Sequence, residues 1–412
     1  MSPTQRRLAI MWLVVSAIAI AVLTLTPEPG TNTISFWCLK CGTRRGVDVL
    51  LNILLFTPLG IGLGLYYVRP RTAALIALGS TCFIETAQFL IPGRDASLRD
   101  ILMNFVGGVL GYYIGRYWRT ALKPSRPAAR ILAVGATILW FATQLFSSWA
   151  MQIAPPRTPW WAQMRPERDD YPAYFKDKLV AMSLGSLSIE YSDELEDSTA
   201  EVLRNQMPEG TPFRVSITDV DTTRPLSAIA IISAGPVHDV VWWAADGRDA
   251  VFGTTVRGTL LGLRTPSVRI KGVMPESRGD TVELAGWYRR GWYQLQARDR
   301  NGYRHRDLRA SPSWGWAFVI PFPLYAFGAG VMWLTALYLL GVWVVLGCWY
   351  ARSVDSSQMF VAIAGMSFGI ILGLAVAPIL YGLPIARWSE WLAAIAGGSV
   401  GWIFGTMNRN VR

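Results

Sequence analysis

Residues 47–67 read VDVLLNILLFTPLGIGLGLYY. This run is apolar and long enough to cross the hydrocarbon core of a bilayer, which takes roughly 17 to 25 helical residues. It carries Asp48, Asn52 and Phe56 at i, i+4 and i+8, which is one face of a helix. An acid and an amide are costly in lipid, so that face belongs against other helices or a polar pocket. Seven further apolar runs lie at about 8–25, 73–91, 98–115, 131–151, 324–350, 360–380 and 388–405. The expected fold class is a polytopic α-helical membrane protein with about eight transmembrane helices.

Composition and charge separate a second part. The chain has 412 residues, 52% hydrophobic content and a net charge of +11, with a mean hydropathy of +0.29. Residues 155–313 hold 21 acids and 21 bases, so the whole excess sits among the apolar runs. The positive-inside rule accounts for basic residues in such loops, which speaks against nucleic-acid binding. With Arg6 and Arg7 cytoplasmic, 12 basic residues fall in inside loops and tails and 6 in short outside loops. Both termini are therefore expected in the cytoplasm and the neutral segment outside. The first run has a basic start but meets Thr26-Pro27-Glu28-Pro29 without a small-residue cleavage site, and is expected to stay as an uncleaved helix. Trp160, Trp161, Trp314 and Trp316 flank the outer segment, as aromatics do at headgroup level. The expected domains are 1–126, 127–154 for a fifth helix, 155–314 outside the membrane, and 315–412.

Polar residues inside the first four runs form a set. Asp48 and Asn52 share a face with Phe56, Glu85 and Gln88 are i, i+3 in the third run, and Asp100 and Asn104 are i, i+4 in the fourth. At about 1.5 Å per residue all six fall in the outer leaflet, with Arg94 and Arg99 in the loop above them. They form either a buried lock between three helices or an outward-facing pocket for a polar headgroup. The pocket is favoured because three of the few acids in the membrane part converge there.

The pattern Asp48-x3-Asn52-x3-Phe56-x-Pro58-Leu59-Gly60, Glu85-x2-Gln88, and Arg94-x2-Ser97-x2-Asp100-x3-Asn104-x2-Gly107 closely resembles the VanZ-like family of bacterial membrane proteins. The resemblance covers about residues 8 to 116. It implies a place in the bacterial inner membrane and a relation to glycopeptide (teicoplanin) resistance.

An internal repeat is also expected. FVGGVLGYYIG from Phe105 is echoed by IAGGSVGWIFG from Ile395, and Asp100 and Glu390 each precede the first glycine by seven residues. Helices one to four and five to eight thus read as parallel copies. The second copy has Ala394 in place of Asn104 and no acid in its seventh run, so it is expected to pack rather than bind.

In the outer segment, runs rich in Val, Ile and aromatics lie at 187–191, 213–218, 228–233, 239–244, 250–255, 267–273, 281–288 and 292–297. Eight strands with intervening turn residues predict an antiparallel β-sandwich or jelly roll. Their order resembles concanavalin A or laminin G-like modules, which implies a glycan contact, with Trp242, Trp287 and Trp292 as stacking candidates. The segment's aromatics fill alternating positions, which more often belong to the core of a sandwich.

No Ser-His, Cys-His or metal box and no Walker glycine loop occurs, so no catalytic residue, cofactor or metal is expected. Cys38-x-x-Cys41 lacks a second ligand pair for zinc and reads as a small-loop disulfide or an exposed thiol pair. The expected ligand is a membrane lipid or lipid-linked cell-wall precursor, held by Asp48, Asn52, Glu85, Gln88, Asp100 and Asn104, with Arg94 and Arg99 meeting phosphate. The sandwich would add a glycan or an envelope protein. The rivals are a hydrolase or transferase using Glu85 or Asp100 as base, and a structural assembly factor.

Overall fold

The computed structural model describes residues 2–27, 35–37, 39, 45–166, 173–189, 194–219, 225–235, 238–264, 267–319 and 330–407. Cys38 and Cys41 lie outside the described residues. The chain divides into two compact units, Met1–Ala129 and Arg130–Arg412.

The first unit holds α1 (Pro3–Leu25), α2 (Arg45–Leu65), α3 (Pro70–Gln88), α4 (Leu98–Leu122) and the start of α5 (Arg126–Ala150). Ser2 opens α1 with a reciprocal cap. Its Oγ accepts from the Gln5 N–H at 3.3 Å and its own N–H donates to Gln5 Oε1 at 3.1 Å. α2 and α4 meet backbone to backbone. Gly107, Gly111 and Gly115 lie directly against the carbonyls of Ile53, Thr57 and Ile61, where a Cβ would collide with each. Without a hydrophobic drive in lipid, such small-residue contact is what draws helices together.

The second unit contains α5 beyond residue 129, the sandwich and the last helices. Twelve strands are described, four more than expected: β1 (Trp160–Met164), β2 (Lys178–Leu184), β3 (Leu187–Ile189), β4 (Glu194–Leu195), β5 (Phe213–Thr218), β6 (Ser227–Ala234), β7 (Asp239–Asp246), β8 (Asp249–Thr254), β9 (Ser267–Ile270), β10 (Thr281–Arg289), β11 (Trp292–Asp299) and β12 (Gly302–Arg309). Two helices, α6 (Asp197–Gln206) and α7 (Arg257–Leu260), interrupt them. Two antiparallel sheets of six strands result, ordered β4-β1-β6-β7-β8-β9 and β12-β11-β10-β5-β2-β3. β10 alternates as its sequence requires, with Val282, Leu284 and Tyr288 inward. Between the sheets, Gly286 leaves room for the Trp243 and Phe252 rings, and Trp243 Nε1 donates to the Phe213 carbonyl at 3.1 Å.

β12 escapes sequence reading because it is an edge strand, GYRHRDLR, mostly exposed and without an apolar alternation. Two expected headgroup aromatics are corrected. Trp160 is fully buried in β1 and Trp314 fully buried in the 3-10 helix Pro312–Val319, both in the sandwich core, where a large ring gains more from burial than at an interface. That core runs on into Ala150, Met151, Val331 and Leu383.

After the sandwich come α8 (Gly330–Ser353), α9 (Met359–Ile371), a π-helical turn (Leu372–Val376), α10 (Ala377–Leu380) and α11 (Trp388–Met407). Pro378 has no N–H to give to the Leu374 carbonyl, which instead accepts from Ala386 N at 2.9 Å. α8 and α11 pack as α2 and α4 do. Gly397, Gly401 and Gly405 face the carbonyls of Leu340, Val344 and Cys348, and Gly347 faces that of Gly398.

Among the described residues, Pro3–Leu25, Arg45–Leu65, Arg126–Ala150, Gly330–Ser353 and Ser356–Leu380 are long and apolar enough to cross a membrane. Helices α3, α4 and α11 occupy the other three expected runs, but their charged, amide and glycine residues make them less apolar.

Two outcomes follow from this packing. Gly111→Ala should destabilise the detergent-solubilised protein by about 1 to 3 kcal/mol in thermal unfolding, because the new methyl meets the Thr57 carbonyl. Gly79→Ala, with open space around it, should be neutral or stabilising by up to about 1 kcal/mol. Burial also pushes the phenols of Tyr288 and Tyr293 above their ordinary value. The folded state then keeps protons that the unfolded chain sheds above about pH 10, so this contribution is complete below that pH and lost as pH rises. The melting temperature should hold up to about pH 9 and fall progressively beyond about pH 10, less steeply in Tyr293→Phe.

Candidate functional site

The site of the first unit is assembled by the start of α4. Ser97 is its N-cap, with Oγ accepting from Asp100 N at 3.1 Å, and Ser97 N donates to Glu85 Oε2 at 2.8 Å. A carboxylate on α3 thus fixes where α4 begins. Asp100, in the first turn, also lies where the helix dipole favours an anion.

Around that start the expected residues converge. Asn52 Nδ2 donates to Asp100 Oδ1 at 2.6 Å. Arg99 Nη2 lies 3.3 Å from Asp48 Oδ2 and its Nε 3.4 Å from Asp100 Oδ1. Deeper, Asn104 Nδ2 donates to Thr81 Oγ1 at 3.1 Å, while Asn104 Oδ1 is buried with no hydrogen-bond partner among the described residues. Glu85, Gln88, Asn104 and Thr81 are buried, whereas the Asp48 and Asp100 side chains keep 39% and 20% of their surface open. The cluster has a sealed floor and an accessible rim.

The two arginines differ from expectation. Arg99 is not a loop residue above the acids but a buried member of α4 pairing with two of them. Arg94 Nε and Nη2 donate to the carbonyls of Thr26 and Leu23 at 2.8 and 3.0 Å, and Gln88 Nε2 donates to Thr24 O at 3.0 Å. The last carbonyls of α1 lack intrahelical donors, so these side chains serve that helix end. Arg94 is therefore engaged by α1.

Thr81 and Thr24 are members that sequence reading passed over, and Ser97 was read only as part of the VanZ-like pattern, not as a site member. The Ser-x-x-Asp cap pattern was a signal for Ser97; the other two have none. Among the described residues no three His, Cys, Asp or Glu side chains are placed to hold a metal.

The second unit has its own buried carboxylate. Glu390, third residue of α11 as Asp100 is of α4, accepts from Ser311 Oγ at 2.6 Å. Arg387 Nη2 donates to the Arg309 carbonyl at 2.9 Å. Burial lowers the Arg387 pKa, opposed by Glu390 and reinforced by Arg309.

The aromatic candidates do not form one surface. Trp242 is buried over Gly253 beside Ile231 and Val251, so its part in glycan stacking is corrected to packing. Trp287, half-buried, donates Nε1 to Gln294 Oε1 at 2.8 Å, and Trp292 is 40% exposed. A groove of about 760 Å³ opens on the second sheet, with Arg214, Gln296, Arg298 and Tyr303 in its lining.

No curated protein and no solved structure matches the chain. Residues 8–119 match the VanZ/LLP1 family model, so the N-terminal region, which carries the whole polar cluster, is VanZ-like.

Proposed function

We propose that the first unit recognises a polar headgroup of a lipid or lipid-linked cell-wall molecule in the outer leaflet of a bacterial inner membrane. Asp48, Asn52, Arg99 and Asp100 form the mouth, and Glu85, Gln88 and Asn104 the wall. The observation that carries this is the convergence of acids and amides from three helices on a site whose floor is sealed while two carboxylates stay open. Arg94 donates to the α1 carbonyls, and the open groups at the mouth are the carboxylates of Asp48 and Asp100. That favours a group that donates, a hydroxyl or an ammonium, over a bare phosphate.

Other features support the remainder of the proposal. The basic asymmetry supports cytoplasmic termini and an outer sandwich. The groove on the second sheet suits a glycan or an envelope protein. Matched glycine contacts support α8 and α11 as a degenerate copy of α2 and α4. Thr335, Leu339 and Trp343 then stand where Asp48, Asn52 and Phe56 stand, and Glu390 where Asp100 does. A VanZ-like region carries with it the proposal of a link to glycopeptide resistance, tested by teicoplanin susceptibility of cells with and without the chain.

The direct test is native mass spectrometry of protein purified with its co-extracted lipids. Asp48→Asn and Asp100→Asn should each reduce the bound polar lipid about tenfold, as loss of a charged hydrogen bond implies. Their melting temperatures should stay near wild type. A fall in melting temperature with an unchanged lipid complement would mean that the cluster only locks the helices.

A further inference from the structure

The second unit carries an arginine-lined pocket that the polar cluster of the first does not explain. β10 and β11 are joined by the two-residue turn Arg290-Gly291, since Arg289 pairs with Trp292. Both turn residues have positive φ, +46° at Arg290 and +84° at Gly291. Such hairpin turns favour Asn or Gly at the first position, and an L-residue with a long side chain there is held at a cost. Local structure does not ask for an arginine. Arg290 is exposed and makes no hydrogen bond or ion pair among the described residues.

The turn is pressed onto the loop between α10 and α11. A Cβ on Gly291 would come within 2.7 Å of Pro384 Cδ, so only glycine permits the approach. That loop follows Ser356–Leu380, a helical stretch long and apolar enough to cross a membrane, which places it at a membrane surface if that stretch spans. Between turn and loop is a pocket of about 600 Å³ lined by Arg289, Arg290, Trp292 and Pro384, with Asp307 the one carboxylate in its lining. Beside it, the Arg309 guanidinium lies 5.9 Å from the Trp292 ring centroid, and its Nε and Nη2 are buried without an acceptor among the described residues. Glu209 meets Arg289 only at 3.8 Å, between two exposed side chains. Two guanidiniums in one lining, those of Arg289 and Arg290, with the Trp292 ring as a wall, match a phosphate at the depth where lipid headgroups sit.

We infer that the Arg290-Gly291 turn and the loop before α11 form a second site, which takes the phosphate of an anionic membrane lipid in the leaflet that the sandwich faces. The site is independent of the carboxylate mouth of the first unit and stands whether or not that mouth binds lipid. Its guanidiniums pair with the phosphodiester, and Trp292 packs against the glycerol portion.

The test uses the full-length protein in detergent, titrated with phosphatidylglycerol or phosphatidylcholine and read by native mass spectrometry. Arg290→Asn is the informative variant, because asparagine suits the turn and removes only the charge. Wild type should prefer phosphatidylglycerol. Arg290→Asn should weaken that binding about tenfold, leave phosphatidylcholine unchanged and keep the melting temperature. Asp48→Asn should leave the preference intact, so failure here is distinguishable from failure of the carboxylate mouth. Equal binding of the two lipids, an undiminished preference in Arg290→Asn, or displacement of the lipid by millimolar inorganic phosphate would each overturn the proposal.

Discussion

Direct contact between helix backbones is the constraint on which the rest depends. Where Gly107, Gly111 and Gly115 meet the carbonyls of α2, no side chain separates the two helices. Their polar groups are then brought within hydrogen-bond reach. Asn52 on α2 can touch Asp100 on α4 at 2.6 Å because the helices below it are in contact. Widening that interface by one methyl would cost packing and also pull apart the residues at its end. The same contact between α8 and α11, through Gly397, Gly401 and Gly405, sets Glu390 at the corresponding end of α11.

The two units use these ends differently. In the first, buried Arg99 pairs with Asp48 and Asp100, whose side chains keep part of their surface open. In the second, α8 presents Thr335 and Leu339, both fully buried. The single acid there is satisfied by Ser311, from the segment that leaves the sandwich. A carboxylate that has a protein partner on every side fixes structure, and one with an open face can exchange a partner for a ligand. Glu390 therefore ties the segment that leaves the sandwich to α11, while the proposed mouth is where Asp48 and Asp100 stay partly open.

Much of this was legible in the sequence where a signal has a fixed period. Membrane-length apolar runs gave helices, and the i, i+4 spacing of Asp48 with Asn52 and of Asp100 with Asn104 gave a shared face. The eight strands read from alternation are all present. What escaped depends on tertiary context. β12 has no apolar face to announce it, and Trp160 and Trp314 look alike whether they sit in a headgroup layer or a core. Arg94 illustrates the same limit. Its proximity to three acids suggested a countercharge, and nothing in the sequence signals that it also donates to the carbonyls ending α1. The Arg290-Gly291 turn was readable as a turn, but the pocket it forms with Pro384 joins residues far apart in the chain.

The central claim is that the rim of Asp48 and Asp100 is occupied by a polar headgroup in a membrane. A density map of the protein in nanodiscs made from its native lipids tests this most directly. The account predicts headgroup density within hydrogen-bond distance of both carboxylates, with the Arg99 pairs retained beneath it. A rim closed over by side chains alone, identical in native lipid and in detergent, would contradict it.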